Sequence, residues 1–340
     1  MRTRARHIGV LGGSERCHAG TVTGEALDPG AGGASGRFAP SPSGPLHLGN
    51  LRTALLAWLF ARSAGAGFEL RVEDLDPDRS RPEHERGQIA DLAAIGLSWD
   101  GPPWRQSERG DAYRDALARL RERELVYPCW CTRAELRAAA SAPHGALPAA
   151  YPGTCRGLSA GERRARERSG RPPAWRLDAG GRVGVALDRL HGPLEAAVDD
   201  FVVWRGCADG EGVAAYNLAV VVDDAAQGIE EVVRGDDLLT SAPRQALLAE
   251  LLGLAVPRYA HVPLVLGPDG TRLAKRHAAV TLAEQLHAGA SVELVVGWLA
   301  ASCGLVPGPA ELTAGEVLEA FDPARIVREP TVLDGALVAV

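Results

Sequence analysis

From Arg37 onward the chain falls into short apolar runs alternating with amphipathic stretches, and before it no such rhythm holds. Residues 37–39 read as a short strand, and the Pro/Ser/Gly segment from Pro40 to Pro45 reads as a loop. Leu48, Leu51, Leu55 and Leu59 then recur at helical spacing, which predicts a helix over about 46–64. A strand over 68–72 ends in Glu73-Asp74-Leu75-Asp76, and helices are expected over 82–95 and 111–124. Strand, helix, strand, helix at this spacing predicts a parallel α/β sheet.

The rhythm breaks between Tyr127 and about Asp199, where Cys129, Cys131 and Cys155 lie ahead of an Arg-rich segment. Between Gly161 and Arg176 there are six Arg against two Glu. Beyond it, 217–222 reads as a buried strand leading into Asp223-Asp224, and 229–233 as a second. A helix over 238–252, a strand over 262–266 and an amphipathic helix over 292–301 complete the pattern. The expected organisation is therefore a flexible extension over 1–36 and one α/β domain in two halves, 37–126 and 200–285. An inserted module over 127–199 divides the halves, and a helical segment over 286–340 follows.

Composition narrows the class. With 340 residues, 46% apolar and 24% charged, the chain has an ordinary globular balance, which excludes wholesale disorder. No run approaches the ~18 apolar residues of a membrane span. The stretch at residues 8–11 is too short for a signal segment, so no export is inferred. Six cysteines, unevenly placed, suggest a reduced compartment and a metal site rather than a disulfide scaffold. The net charge of -6 argues against a nonspecific nucleic-acid coat but leaves room for a local basic face. A cytoplasmic enzyme is the expectation. Among 37 basic residues only Lys275 is Lys, which points to a place where a compact ammonium is needed and a planar guanidinium will not serve.

Two loops suggest nucleotide chemistry. Pro40 to Asn50 opens a helix, where exposed amides and the macrodipole form an anion site. His47 can donate to a phosphate there, and Gly49 lets a nucleotide approach the backbone. The basic loop from Gly270 to His277 can close over a triphosphate and stabilise charge on departing pyrophosphate.

Taken together, residues 37–285 resemble the class I glutamyl-tRNA synthetase family. RFAPSPSGPLHLGN is similar to its first signature, with His47-Leu48-Gly49-Asn50 at the place of HIGH, and RLAKR is similar to its KMSKS loop. RVEDLDPDRS and VVRGDDLL are further matches. Asn50 replaces the last His of HIGH and Ala274 the central Ser of KMSKS. Both changes spare His47 and Lys275.

The resemblance implies a Rossmann-like parallel sheet with an inserted zinc-containing module and a short helical C-terminal part. It implies His47 and Lys275 as catalytic groups, with His47, Gly49, Asn50 and Lys275 around ATP. It implies glutamate contacts from Arg37, Phe38, Ala39, Pro40, Ser41, Glu73, Tyr216 and Arg234. Charge agrees, because a dicarboxylic amino acid needs cations such as Arg37 and Arg234 and one anion such as Glu73. The alternatives are a structural pair of Arg234 with Asp236 or Asp237, and a core aromatic at Tyr216.

Cys129, Cys131 and Cys155 suit a tetrahedral Zn2+ that needs a fourth ligand. Within the family, a CxC…YxxxC pattern resembles the glutamyl-queuosine branch, which implies Tyr151 as that ligand. Chemistry alone would favour His144. Only 65 residues follow Lys275, too few for anticodon-binding domains of ~100 residues each. The resemblance to this branch implies tRNA-independent activation of L-glutamate with ATP and Mg2+, then transfer to queuosine-modified tRNA(Asp), and the expectation is a monomer without membrane contact. A synthetase charging a tRNA acceptor end and an inert RNA-binding paralogue are the competing readings. The basic segment 163–176 could contact RNA phosphates in each, or form a solvated face.

Overall fold

The computed structural model describes residues 35–132, 134–136, 151–207, 211–273, 277, 280–335 and 337. Lys275, Ala274 and His144 lie outside the described residues, as does the extension expected over 1–36 up to residue 34.

The first half is an alternation of strands and helices. β1 (Gly36–Phe38) leads through the Pro/Ser loop to α1 (Leu48–Ser63), β2 (Phe68–Val72), α2 (Pro82–Ala94), β3 (Trp104–Arg105) and α3 (Gly110–Glu122). β2 lies between β1 and β3, and both pairings are parallel. Leu48, Leu51, Leu55 and Leu59 of α1 are all at or near zero exposure, so the leucine stripe does face the sheet.

A second sheet follows. β4 (Val126–Cys129), β5 (Ala174–Leu177), β8 (Val202–Arg205) and β9 (Val213–Ala214) pair antiparallel, with the exposed α4 (Ala160–Glu167) and the hairpin β6 (Val183–Asp188) and β7 (Gly192–Ala197) between them. The chain returns through α5 (Tyr216–Ala226), β10 (Glu231–Gly235), α6 (Ala242–Leu252), β11 (Arg258–Val262) and β12 (Val265–Leu266). β11 pairs parallel with both β10 and β6. Glu230 and Glu231 donate backbone N–H groups to the Ser35 carbonyl at 3.0 and 3.1 Å, which ties β10 to the start of β1. The orders 3-2-1 and 10-11-6-7 thus meet where β1 and β10 lie side by side, and ligands of open α/β sheets bind at such a switch in strand order.

Several expectations need correction. The run 217–222 is not a strand but the middle of α5, with Leu218 to Val222 buried. A continuous apolar run of this length suits a buried strand or a buried helix equally, and periodicity cannot separate them. The helix expected over 238–252 begins only at Ala242, after a tighter 3-10 segment at Asp236–Ser241. Pro243 fits the first turn, and Gly253 closes the helix with φ 68°. The strand expected over 262–266 is two short strands, because Pro263 has no N–H to offer a ladder.

Beyond these, α7 (Leu282–His287), α8 (Val292–Ala301), α9 (Ala314–Glu319) and β13 (Thr331–Val332) close the described chain, with β13 parallel to β12. Among the described residues no helix is long and apolar enough to cross a membrane.

Candidate active site and cysteine cluster

A cleft of about 610 Å³ opens where β1 and β10 diverge. Arg37, Phe38, Ala39, Pro40 and Ser41 line it, together with His47, Gly49, Asn50, Glu73, Tyr216 and Arg234. Every described residue expected at the glutamate and ATP sites is therefore brought to one place.

The loop that opens α1 is held by short-range polar contacts. His47 is the N-cap of α1, and its Nδ1 accepts the Asn50 N–H at 3.1 Å while Asn50 Oδ1 accepts the His47 N–H at 3.2 Å. This reciprocal box is why an Asn serves at the position of the last His of HIGH. Because Nδ1 accepts, the ring proton of a neutral His47 lies on Nε2. Burial, and then Arg272, lowers the His47 pKa to about 4, so it is neutral at pH 7. A Cβ at Gly49 would lie 3.1 Å from the His47 ring and 3.3 Å from Val265, so glycine there spares the ring's position. Gln88 donates to the carbonyls of Ser41 and Gly44 at 3.0 and 2.7 Å and pins the loop from outside the motif.

Beneath the cleft lies a buried charge cluster. Asp224 Oδ1 accepts from Arg37 Nε at 3.2 Å and Arg71 Nη1 at 2.8 Å, and Arg71 reaches Glu73 at 3.4 Å. Asp223 takes Gln106, Arg109 and Tyr113 at 3.0, 2.6 and 2.6 Å. Three arginines thus balance Glu73, Asp223 and Asp224. Burial pushes the Glu73 carboxyl above its ordinary range, and Arg71 and Arg37 pull it back. Burial raises Asp224 too, yet Arg37 and Arg71 outweigh it and hold that carboxylate below the usual range.

Arg234 pairs with neither Asp236 nor Asp237. Its partners are His261, Gln245 and the Leu238 carbonyl, while Asp237 takes Arg272 at 2.7 Å. Tyr216 is 40% exposed at the cleft and is no core aromatic. The basic loop is anchored on the near side of Lys275, where the buried Leu273 donates its N–H to the Val265 carbonyl at 3.3 Å. Arg71, Asp223, Asp224, Gln245 and His261 escape a reading of the sequence. Their signal, buried polar side chains on apolar elements, emerges only when distant segments meet.

The second constellation lies between Cys129 and Cys155. The sulfurs of Cys129, Cys131 and Cys155 lie within 4.8 Å of one another, with Cys131 and Cys155 at 3.6 Å. The Tyr151 hydroxyl sits 3.4 Å from Cys129 and 3.5 Å from Cys131 and accepts the Cys155 N–H at 3.0 Å. Zn–S bonds of about 2.3 Å in a tetrahedron separate sulfurs by roughly 3.8 Å, so the donor set fits a metal ion of that size. Arg176 lies over the Tyr151 ring at 3.8 Å. In the basic segment, Arg163, Arg164, Arg166, Arg168 and Arg171 are exposed, whereas Arg176 is buried and bonds the Asp200 carbonyl at 2.8 Å.

A parallel α/β sheet with a phosphate-type loop and a cation-lined cleft at its switch point defines a nucleotide-dependent ligase of the class I synthetase type. The chain belongs to the tRNA synthetases class I (E and Q), whose catalytic domain matches residues 35–295. A glutamyl-Q tRNA(Asp) synthetase of Nocardia farcinica is 60% identical over 301 residues, covering 88% of this chain and 93% of that relative. One from Symbiobacterium thermophilum is 53% identical over 317 residues, covering 89% and 97%. A crystal structure of a glutamate tRNA ligase from Elizabethkingia meningosepticum, in complex with its amino acid, superposes with a TM-score of 0.76. Its identity is 28%, and the match covers 89% of this chain and 67% of that one.

Proposed function

We propose that this protein activates glutamate with ATP, without needing tRNA, and transfers it to the queuosine base of tRNA(Asp). One observation carries the activation step: Arg37, Arg234, Glu73, Tyr216 and His47, distant in sequence, line one cleft. Two fixed guanidinium groups suit the two carboxylates of glutamate, and Glu73 suits its ammonium. The relatives named glutamyl-Q tRNA(Asp) synthetases support the choice of acceptor.

In this reading an oxygen of the glutamate α-carboxylate attacks the α-phosphorus of magnesium-bound ATP, and the bond to pyrophosphate breaks. The chain's part is to orient and to stabilise charge. Neutral His47 donates from Nε2 to a phosphate oxygen, and Lys275 meets the charge that grows on the leaving pyrophosphate. A hydroxyl of the queuosine ring then attacks the acyl carbon and AMP departs. Cys129, Cys131, Cys155 and Tyr151 would hold a zinc ion, which when bound supplies a structural crosslink of the inserted stretch.

Exchange of labelled pyrophosphate into ATP tests the first step. It is expected to require glutamate and to proceed with no tRNA present. Exchange that appears only when tRNA is added contradicts the proposal.

A further inference from the structure

Arg234 and His261 face each other across the parallel β10–β11 ladder. Arg234 Nε lies 3.0 Å from His261 Nε2, Nη1 lies 2.7 Å from Gln245 Oε1, and Nη2 reaches the Leu238 carbonyl at 3.3 Å. His261 is wholly buried and stacks on Tyr259, with ring centroids 5.7 Å apart and planes 13° apart. An arginine Nε can only donate, so His261 Nε2 must accept. The ring proton therefore sits on Nδ1, which donates to Asp188 Oδ2 at 2.6 Å. Asp188 is itself immobile: Oδ2 also takes the His261 N–H at 3.0 Å, and Oδ1 takes the N–H groups of Leu190 and His191 at 2.9 Å each. An imidazolium at this place would turn an N–H against the guanidinium, so the arrangement excludes it.

We propose that Asp188 and His261 form a positioning relay, which fixes the Nδ1-protonated imidazole and thereby aims Arg234 at a carboxylate of the amino acid. Glutamate affinity then depends on a histidine that the amino acid does not touch. The relay resembles the way a carboxylate orients a metal-ligating imidazole, with a guanidinium in place of the metal. The proposal rests on the reading of Arg234 as a glutamate contact. It adds that the aim of Arg234 is set from β6 and β11, by residues outside the cleft lining.

The test is glutamate-dependent pyrophosphate exchange by the full chain, with KM measured separately for glutamate and ATP. His261→Asn keeps a polar atom on the Asp188 side and removes the acceptor for Arg234. It is expected to raise the glutamate KM roughly tenfold to a hundredfold, the loss of one hydrogen bond to a charged group, with the ATP KM within about twofold. His261→Gln places a carbonyl near the lost Nε2 and is expected to restore most of that affinity. Asp188→Asn turns a donor toward donors and is expected to raise the glutamate KM several-fold; it decides the question if His261→Asn does not fold. A folded His261→Asn or Asp188→Asn variant with unchanged glutamate KM, or with both KM values raised together, overturns the relay. Arg234→Gln separates the two ideas. If it raises the glutamate KM while the His261 variants do not, only the relay falls. If it leaves the glutamate KM unmoved, the reading of the cleft falls and the relay with it.

Discussion

The cleft and the cysteine cluster are both small sets of polar side chains drawn from separate stretches of the chain, and they differ in what completes them. Around the cleft the buried aspartates already have their counter-charges in the protein: Asp224 holds Arg37 and Arg71, and Asp223 holds Arg109. At the cysteine cluster three sulfurs and a phenol converge on one another, with Arg176 as the nearby cation, in an arrangement that could hold a metal ion. The first arrangement is preorganised by folding alone, so it can present fixed donors to a ligand without reorganising. In the proposed reading the second would couple local folding to the zinc ion it holds. Damage to the first should therefore cost catalysis and stability together, and damage to the second should stay local.

The largest effect is expected from the loop rather than from either cluster. Lys275→Ala should lower the rate of pyrophosphate exchange by about a thousandfold, ~4 kcal/mol of transition-state stabilisation, with Tm unchanged. Lys275→Arg should also be impaired, because a flat fork does not replace a compact ammonium. Exchange near the wild-type rate in the Ala variant contradicts the role given to this loop.

Next comes the charge cluster. Asp224→Asn leaves two buried arginines without their shared carboxylate and should cost about 3 kcal/mol in urea unfolding, with a parallel loss of glutamate activation. A variant as stable as wild type would show that the cluster is not the support of the cleft. For the other side of the comparison, Cys131→Ser should abolish binding of about one zinc per chain by elemental analysis. It should reduce transfer to RNA more than pyrophosphate exchange. Equal loss of both steps would mean that the two regions are not independent.

The smallest effect concerns His47. Its pKa is lowered from 6.5 to about 4, so the unfolded chain binds more protons between those values. The resulting penalty is absent above pH 6.5, grows as pH falls through that window and is complete below about 4. Between pH 7 and pH 5 wild type should lose at most about 2 kcal/mol more than His47→Gln, measured by urea midpoints at the two pH values. Equal losses would show that His47 titrates normally.

What the sequence reveals divides along the same line. Contiguous signals were legible: the Pro/Ser loop, the His47–Asn50 signature, the leucine face of α1 and the CxC pair each depend on residues a few positions apart. The supports were not. Arg71 meets Asp224 across 153 positions, and Asp188 meets His261 across 73, so no local pattern marks them. The misread α5 fails for a related reason. Its Leu218–Val222 run is buried on all sides, and a helix with no polar face loses the periodicity that would identify it. Asp223 and Asp224, placed by the helix against three arginines, acquire their meaning only from that burial.

The central claim is that activated glutamate goes to a modified base, and one measurement addresses it directly. Purified protein is given labelled glutamate and ATP with tRNA(Asp) from cells that make queuosine, the same tRNA from cells that cannot, and an unmodified tRNA(Glu) transcript. The account predicts label on the first alone. Efficient labelling of the tRNA(Glu) transcript, with the queuosine-containing tRNA(Asp) refused, would contradict it.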